Sequence, residues 1–327
     1  MNSDLINPEI NNIFNGFLES QNPPQNDLIF HYTMGGGLLG IVKEKTIRAT
    51  DIHYLNDSTE VYYGLGEVKK ILENKIKVNE NDVLLKALDF LNGEYFLGDK
   101  IDPFHNKIGK PWIDAYISCF CEKEDLLSQW RGYTDGSGYS IGFSFSELKA
   151  ILSSPDSLVL YFGKVIYEKA EQSNKVDEII NKILSLENYD DTTKALILET
   201  LLILISYFFK NECFKEEAEW RVIYKGAYDA WGNRITGDEI NIEFRVSSNQ
   251  MIIPYMEFKF LNRLPIKKIL IGPVINYEMA KFAITKLLQE NGYKIKLVTQ
   301  KLTGNNHPWI SQELITIAKS EIPYVKV

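Results

Sequence analysis

Apolar residues recur along the chain in two rhythms. Val61, Leu65, Val68, Leu72 and Ile76 are spaced by three and four, so an amphipathic helix follows the polar loop Asn56 to Glu60. DVLLKALDFL within residues 79–112 predicts another helix, and residues 170–210 read as helical. Ala280, Ala283, Ile284, Leu287 and Leu288 share one face of a helix over Tyr277–Glu290, which Gly292 ends. The second rhythm is β-like. Runs at Leu28–Phe30, Ala115–Phe120, Tyr139–Phe145, Leu158–Tyr167, Glu219–Tyr224, Ile240–Val246, Met251–Phe258 and Lys267–Ile271 predict strands. Lys294–Val298 adds one more, so the helix before it reads as a βαβ crossover joining a parallel pair.

One stretch concentrates polar chemistry at a strand end. LIFHYTMGGG places His31, Tyr32 and Thr33 where the first strand leaves the core, a favourable position for ligand contacts. Gly35 to Gly37 then open a short helix, Leu38 to Lys43, whose first N–H groups suit an anion. The whole is read as a single α+β domain over residues 1–327. Residues 1–26 form a helical extension on the outside of the first strand, broken by Pro23-Pro24, and residues 27–299 form the core. Helical insertions fall near 60–112 and 170–210, and 300–327 is a C-terminal extension.

Charge and cysteine usage narrow the function classes. A net charge of −8 argues against general electrostatic coating of nucleic acid, so a nucleic-acid partner would be engaged locally. Three cysteines without zinc spacing fit a reducing cytoplasm, and the N-terminus has no basic and apolar leader pattern. The apolar run Ala195–Phe209 contains Glu199 and is shorter than the ~18 residues of a membrane span, so it reads as a buried helix. His31, His53, His105 and His307 show no metal-ligand spacing, and neither a Walker loop nor a Rossmann fingerprint occurs. No metal is expected.

Several residue patterns admit both a functional and a structural reading. Gly138-Tyr139-Ser140-Ile141-Gly142 matches the G-x-S-x-G pattern of serine hydrolases, but a strand continues through Phe145 where that motif needs a turn and a helix. Ser140 as nucleophile stays an alternative. His31 can be a satisfied strand-end histidine, Glu216, Glu217 and Glu219 a solvated acidic run, and Trp130 a core residue. Arg131 and Arg221 can tie Asp57, Glu60 or Asp125 into an ion network, and Asn56 and Asp57 can cap the following helix.

Two resemblances sharpen these alternatives. The spaced motifs HYT, LND.TE, ISCF, LLSQWRGY, YSIGF, EWR, ILIGP and S.IPY, covering most of residues 28–325, resemble the uncharacterised bacterial family catalogued as domain of unknown function 2971. Val325 stands where that resemblance leads one to expect arginine. LIFHYT with its glycine-rich link and LLGIVKEKTIRAT, together with EWRVIY, resembles the diphtheria-toxin and poly(ADP-ribose) polymerase branch of ADP-ribosyltransferases and comparable DNA-modifying toxins. Tyr32 departs from the glycine common in that branch, and the middle motif fits either Tyr116–Trp130 or Tyr139–Phe143.

This second resemblance implies a mixed split β-sheet and an enzyme that takes NAD as substrate. Cleaving the nicotinamide bond forms an oxocarbenium-like ribose, which a carboxylate stabilises. The resemblance assigns that role to Glu219, with His31 and Thr33 holding ribose and carboxamide. The cofactor-binding set is His31, Tyr32, Thr33, Asn56, Ser128, Trp130, Arg131, Tyr133 and Arg221, with Glu219, His31 and Tyr32 at the reaction centre. Tyr32, Trp130 and Tyr133 are the stacking candidates, since aromatic faces attract a cationic nicotinamide, and Arg131 is the phosphate partner. It also implies a nucleic-acid or protein acceptor, an antitoxin or other regulatory partner, and a toxin or phage-defence role, while the hydropathy of the chain leads one to expect no membrane partner. NAD hydrolysis and a non-catalytic nucleotide- or partner-binding module are the alternatives.

Overall fold

The computed structural model describes residues 8–55, 60–92, 115–134, 137–153, 160–225, 242–247, 250–296 and 314–323. In chain order, α1 (Pro8–Glu19) precedes β1 (Leu28–Thr33), α2 (Gly35–Leu39) and a π-turn (Gly40–Glu44), then β2 (Thr46–Asp51). Next come α3 (Glu60–Val78), α4 (Asp82–Asn92), β3 (Ala115–Cys121), α5 (Leu127–Thr134), β4 (Tyr139–Ser144) and α6 (Phe145–Leu152). They are followed by β5 (Leu160–Lys164), α7 (Lys169–Leu184), α8 (Asp191–Ser206), β6 (Glu219–Lys225), β7 (Ile242–Val246), β8 (Ile252–Lys259), β9 (Ile266–Ile271), α9 (Tyr277–Glu290) and β10 (Thr316–Lys319). The predicted α+β class holds. The helical rhythms also hold, with Leu65, Val68 and Leu72 of α3 and Ala280, Ile284 and Leu288 of α9 buried.

Among the described residues ten strands join one sheet that forks at β3. On one flank β3 pairs along its whole length with β6, from Ala115↔Lys225 to Cys121↔Glu219. On the other flank its two ends go to different strands. β2 takes Tyr116 and Ile117, whereas β1 takes Cys121. From there one branch runs β1-β4-β9-β10 and the other β2-β8-β7. Helices cover both faces. One core joins α1, α3, α4, α7 and α8 to Ile117 and Ile223, continued by Trp130 of α5 over Phe30, Tyr32 and Cys121. The opposite core joins α2, the π-turn, α6 and α9 to Ile29, Phe120, Ile141 and Trp220.

Two expectations change in detail. Residues 1–7 lie outside the described residues, and α1 packs against β5 and α8 rather than on the outside of β1. Phe14 of α1 lies edge-on to Tyr161 of β5 at 4.9 Å and near Phe208 just after α8 at 6.0 Å, while Gln21 bonds both backbone groups of Lys164. The parallel partner of β9 is β10, from Thr316↔Lys268 to Lys319↔Ile271, rather than the run predicted at Lys294–Val298, of which residues 297 and 298 lie outside the described residues. Ile295 makes a single bridge to Ile315 instead. The buried-helix reading of Ala195–Phe209 is realised by α8 and the turn after it, and among the described residues no helix is long and apolar enough to cross a membrane.

Asp27, at φ 52, fastens β1 to the start of α6. Its carboxylate accepts from Ser144 Oγ at 2.7 Å, Ser146 N at 2.7 Å and Ser146 Oγ at 2.9 Å. Partial burial opposes ionisation, but these hydrogen bonds outweigh it and hold the carboxyl below its ordinary value. A carboxyl lowered on folding stabilises the fold above its unfolded pKa, and that gain is lost as pH falls through the folded value. Asp27→Asn is therefore expected to cost about 1 kcal/mol at pH 7, since the site is largely open to solvent, and less below pH ~4. Urea unfolding of both proteins at the two pH values checks this; a pH-independent difference contradicts it.

Candidate functional site

The fork leaves a gap between β1 and β2, and His31 fills its floor. Its Nδ1 lies 2.9 Å from the Cys119 carbonyl oxygen, midway along β3 between the residues that pair with β2 and with β1. Donation to a carbonyl requires the proton on Nδ1, which leaves Nε2 as the acceptor of the neutral ring. Burial disfavours the imidazolium and lowers the His31 pKa, although the Cys119 hydrogen bond opposes that shift. Phe120 lies against the ring at 5.4 Å between centroids. Ser118 is 2% exposed, and among the described residues its Oγ has no hydrogen-bond partner. It is on the Phe120 face of β3, two residues away.

Glu219 opens β6 on the other face. Cys121 pairs with both Phe30 and Glu219, so the Glu219 side chain shares the face of Phe30 and Tyr32, while His31 and Thr33 point the opposite way. The two halves of the expected site thus stand on opposite sides of the sheet. β3 stands between them, with His31 bonded to its Cys119 carbonyl on one flank and Glu219 paired with its Cys121 on the other.

The Glu219 carboxylate is 4% exposed and engaged on both oxygens. Lys210 Nζ donates to Oε2 at 2.8 Å, while Arg221 donates to Oε1 through Nε at 2.8 Å and to Oε2 through its NH2 group at 3.1 Å. Lys210 also donates to Glu217 Oε2 at 2.6 Å, and Arg221 NH1 to the Tyr207 carbonyl at 2.5 Å. Tyr167 accepts from the Glu219 backbone N–H at 3.0 Å. Burial alone would lower the Lys210 pKa, but Glu219 and Glu217 override it and raise it. Glu217 itself is raised, first by burial, with Lys210 opposing. Burial beside this acidic pair also pushes Tyr133 and the Cys119 thiol well up.

The other expected site residues divide between core and surface. Trp130 is fully buried, with its indole N–H donated to Asp125 Oδ1 at 2.6 Å. Tyr32 packs edge-on against it at 4.9 Å, and its hydroxyl donates to the Lys123 carbonyl at 2.9 Å while accepting from Leu126 N at 3.0 Å. Neither ring is available for stacking on a ligand, because each is packed in the core and its polar atom is already bonded. Tyr133 is 37% exposed overall, but its hydroxyl end is buried beside Cys119, Glu219 and Lys210, so only the rest of its ring reaches solvent, and Arg131 beside it is exposed. Ser128 Oγ is buried without a hydrogen-bond partner among the described residues. Thr33 faces α2, where a Cβ on Gly37 would stand 2.0 Å from its Oγ1, so a side chain there would force Thr33 to turn away. Asn56 lies outside the described residues.

Ser140, the second residue of β4, sits between Tyr32 and Leu270 of the neighbouring strands, fully buried, and α6 begins only at Phe145. The strand-turn-helix of a nucleophile elbow is absent there, so the serine-hydrolase alternative lacks its geometry. Asp125 explains two of the sequence motifs as one structural clasp. Besides Trp130 it binds Ser320 Oγ at 2.7 Å and Glu321 N at 2.8 Å, fastening the segment after β10 to the loop before α5. Lys210 escaped the sequence reading. Its only signal was a lysine closing the apolar run of α8, nine residues before Glu219.

A family model described as "Protein of unknown function (DUF2971)" matches residues 129–222, from α5 to the middle of β6, which includes Tyr133, Lys210, Glu217, Glu219 and Arg221. No curated protein and no solved structure matches the chain.

Proposed function

We propose that this chain binds NAD at the fork and breaks its nicotinamide bond, passing ADP-ribose to a macromolecular acceptor. The observation that carries the reading is the fork, where β1 and β2 part over β3 and His31 is fixed by its bond to the Cys119 carbonyl. A neutral His31 offers Nε2 to a ribose hydroxyl, and half-exposed Tyr133 offers a face to the nicotinamide ring. Glu219, on the strand next to β3, is the carboxylate for the oxocarbenium-like ribose. In this reading substrate takes over one of the contacts that Lys210 and Arg221 make with Glu219. Arg131 meets the pyrophosphate, and water in place of the acceptor gives hydrolysis. A toxin or defence role follows from such chemistry directed at a cellular target.

A second reading is favoured by the occupancy of Glu219. A carboxylate with both oxygens committed to buried cations has the form of a structural network, which suits a non-catalytic nucleotide- or partner-binding module.

Nicotinamide release from NAD by the wild type and a Glu219→Gln variant, each with and without cell lysate, separates the two readings. The wild type is expected to release nicotinamide, more so with lysate, and the variant at least ~100-fold more slowly while its unfolding transition remains cooperative. No release by natively folded wild type under either condition sinks the transferase reading and leaves the binding module.

A further inference from the structure

β7 is the last strand of its branch, and among the described residues it pairs with β8 alone. The alternation of its hydrogen bonds can be read from both ends of the hairpin. Ser247 N donates to the Met251 carbonyl at 2.9 Å, so 247/251 is a bonded pair, and 245/253 and 243/255 follow it at the two-residue period. On the far side of β8, Phe260 N donates to Lys45 O at 3.0 Å, so the even-numbered residues of β8 bond towards β2. Pro254, which has no N–H to give, sits opposite Phe244 in keeping with this phase. The backbone groups of Ile242, Phe244 and Val246 therefore point outward from the edge.

The outward edge is apolar and self-complementary. Phe244 and Val246 are each 64% exposed and Ile252, opposite Val246, is 62% exposed. Edge strands ordinarily blunt themselves with charged side chains, a proline or a bulge, and the two charges on β7, Glu243 and Arg245, are of opposite sign. Here the sequence Ile242-Glu243-Phe244-Arg245-Val246 is a palindrome in chemical type, apolar at its ends and centre and opposite in charge between.

We propose that β7 is the docking edge for a second copy of this chain, pairing antiparallel with β7 of that copy about a twofold axis through Phe244. The outward phase makes Phe244 with its symmetry mate a bonded pair, flanked by two bonded pairs of Ile242 with Val246. Glu243 then stands directly opposite the other copy's Arg245, twice, in the pairs where side chains approach most closely, and each Arg245 exchanges its 3.3 Å bond to Thr50 Oγ1 for that carboxylate. The exposed apolar stripe becomes continuous across the axis. A five-residue strand pair falls short of the ~1,200 Å² of a standard stable interface, so the dimer is a weak, concentration-dependent one.

Sedimentation velocity over a micromolar-to-millimolar series tests this, with circular dichroism confirming that each variant is folded. The wild type is expected to dimerise reversibly. Glu243→Arg and Arg245→Glu each place like charges opposite one another and raise the dimer dissociation constant ~10-fold or more, while the double swap restores complementarity and dimerisation. A wild type monomeric throughout, a dimer indifferent to the single reversals, or a double swap that fails to restore association each overturns the proposal.

Discussion

Lys210→Met is expected to lower stability by about 3 kcal/mol at neutral pH. The ammonium is 5% exposed and joins two carboxylates that the turn before β6 brings together, Glu217 at 2.6 Å and Glu219 at 2.8 Å. Methionine fills the volume but leaves two negative charges adjacent in a poorly solvated place, so the loss is that of an unpaired buried charge. Arg221 still holds Glu219 in the variant, which keeps the cost at the lower end of the range for a broken buried pair. The pH dependence identifies the cause. Glu217 already has its pKa raised by burial, and without Lys210 it rises further. A carboxyl raised on folding costs stability once it is ionised in both states, and that cost is relieved as pH falls through the folded value. The gap between wild type and variant should therefore narrow from pH 7 towards pH 5 in urea unfolding; a gap that is constant or widens assigns the loss to packing instead.

Gly64→Ala is expected to destabilise by a similar amount, about 3 kcal/mol, through pure exclusion. A Cβ on Gly64 of α3 would stand 2.1 Å from the carbonyl oxygen of Ser206 at the end of α8 and 2.9 Å from its carbonyl carbon. Both atoms are backbone, so α3 and α8 would have to separate. Gly66, two residues along the same helix, is exposed with nothing within 4 Å of its Cβ position, so Gly66→Ala should gain up to ~1 kcal/mol from helix propensity. The pair of melting curves, displaced in opposite directions, checks the contact. A neutral Gly64→Ala would mean the two helices yield.

Local patterns in the sequence carried much of this fold, and long-range pairing carried the remainder. α3 and α9 were legible because their buried residues fall on one helical face, and the paths of β3, β4 and β6 because β-favouring residues run without interruption. The position of β10 was not, since Lys294–Val298 has the same local character as Thr316–Lys319 and only tertiary pairing selects between them. His31, Glu219 and Arg221 were legible as site candidates, and strand alternation places Glu219 and Arg221 on one face from sequence alone. That His31 lies across the sheet from them depends on the register of β1 against β3, a pairing of residues 91 apart set by no local signal. Lys210 was missed because its two carboxylates meet it only through the turn at residues 212–218, where Ala218 adopts φ 43. Trp130 and Ser320 belong to motifs that stood out in the sequence, and both are held in the clasp on Asp125, so a distinctive motif can mark packing as readily as chemistry.

The fork also imposes an order of assembly on a chain made from its N-terminus. β1 and β2 are synthesised early, yet they do not pair with each other; each waits for β3, and β3 gains its full-length neighbour only when β6 emerges about a hundred residues later. β1 waits in the same way for β4, and β9 for β10. What can close early is helical, since α3 and α4 lie next to each other in sequence and pack against α8, which is complete by Ser206. α3, α4 and α8 are thus all made before β6, the segment that carries Lys210, Glu217, Glu219 and Arg221 then completes the second flank of β3, and β2 gains its outer neighbour β8 only after that.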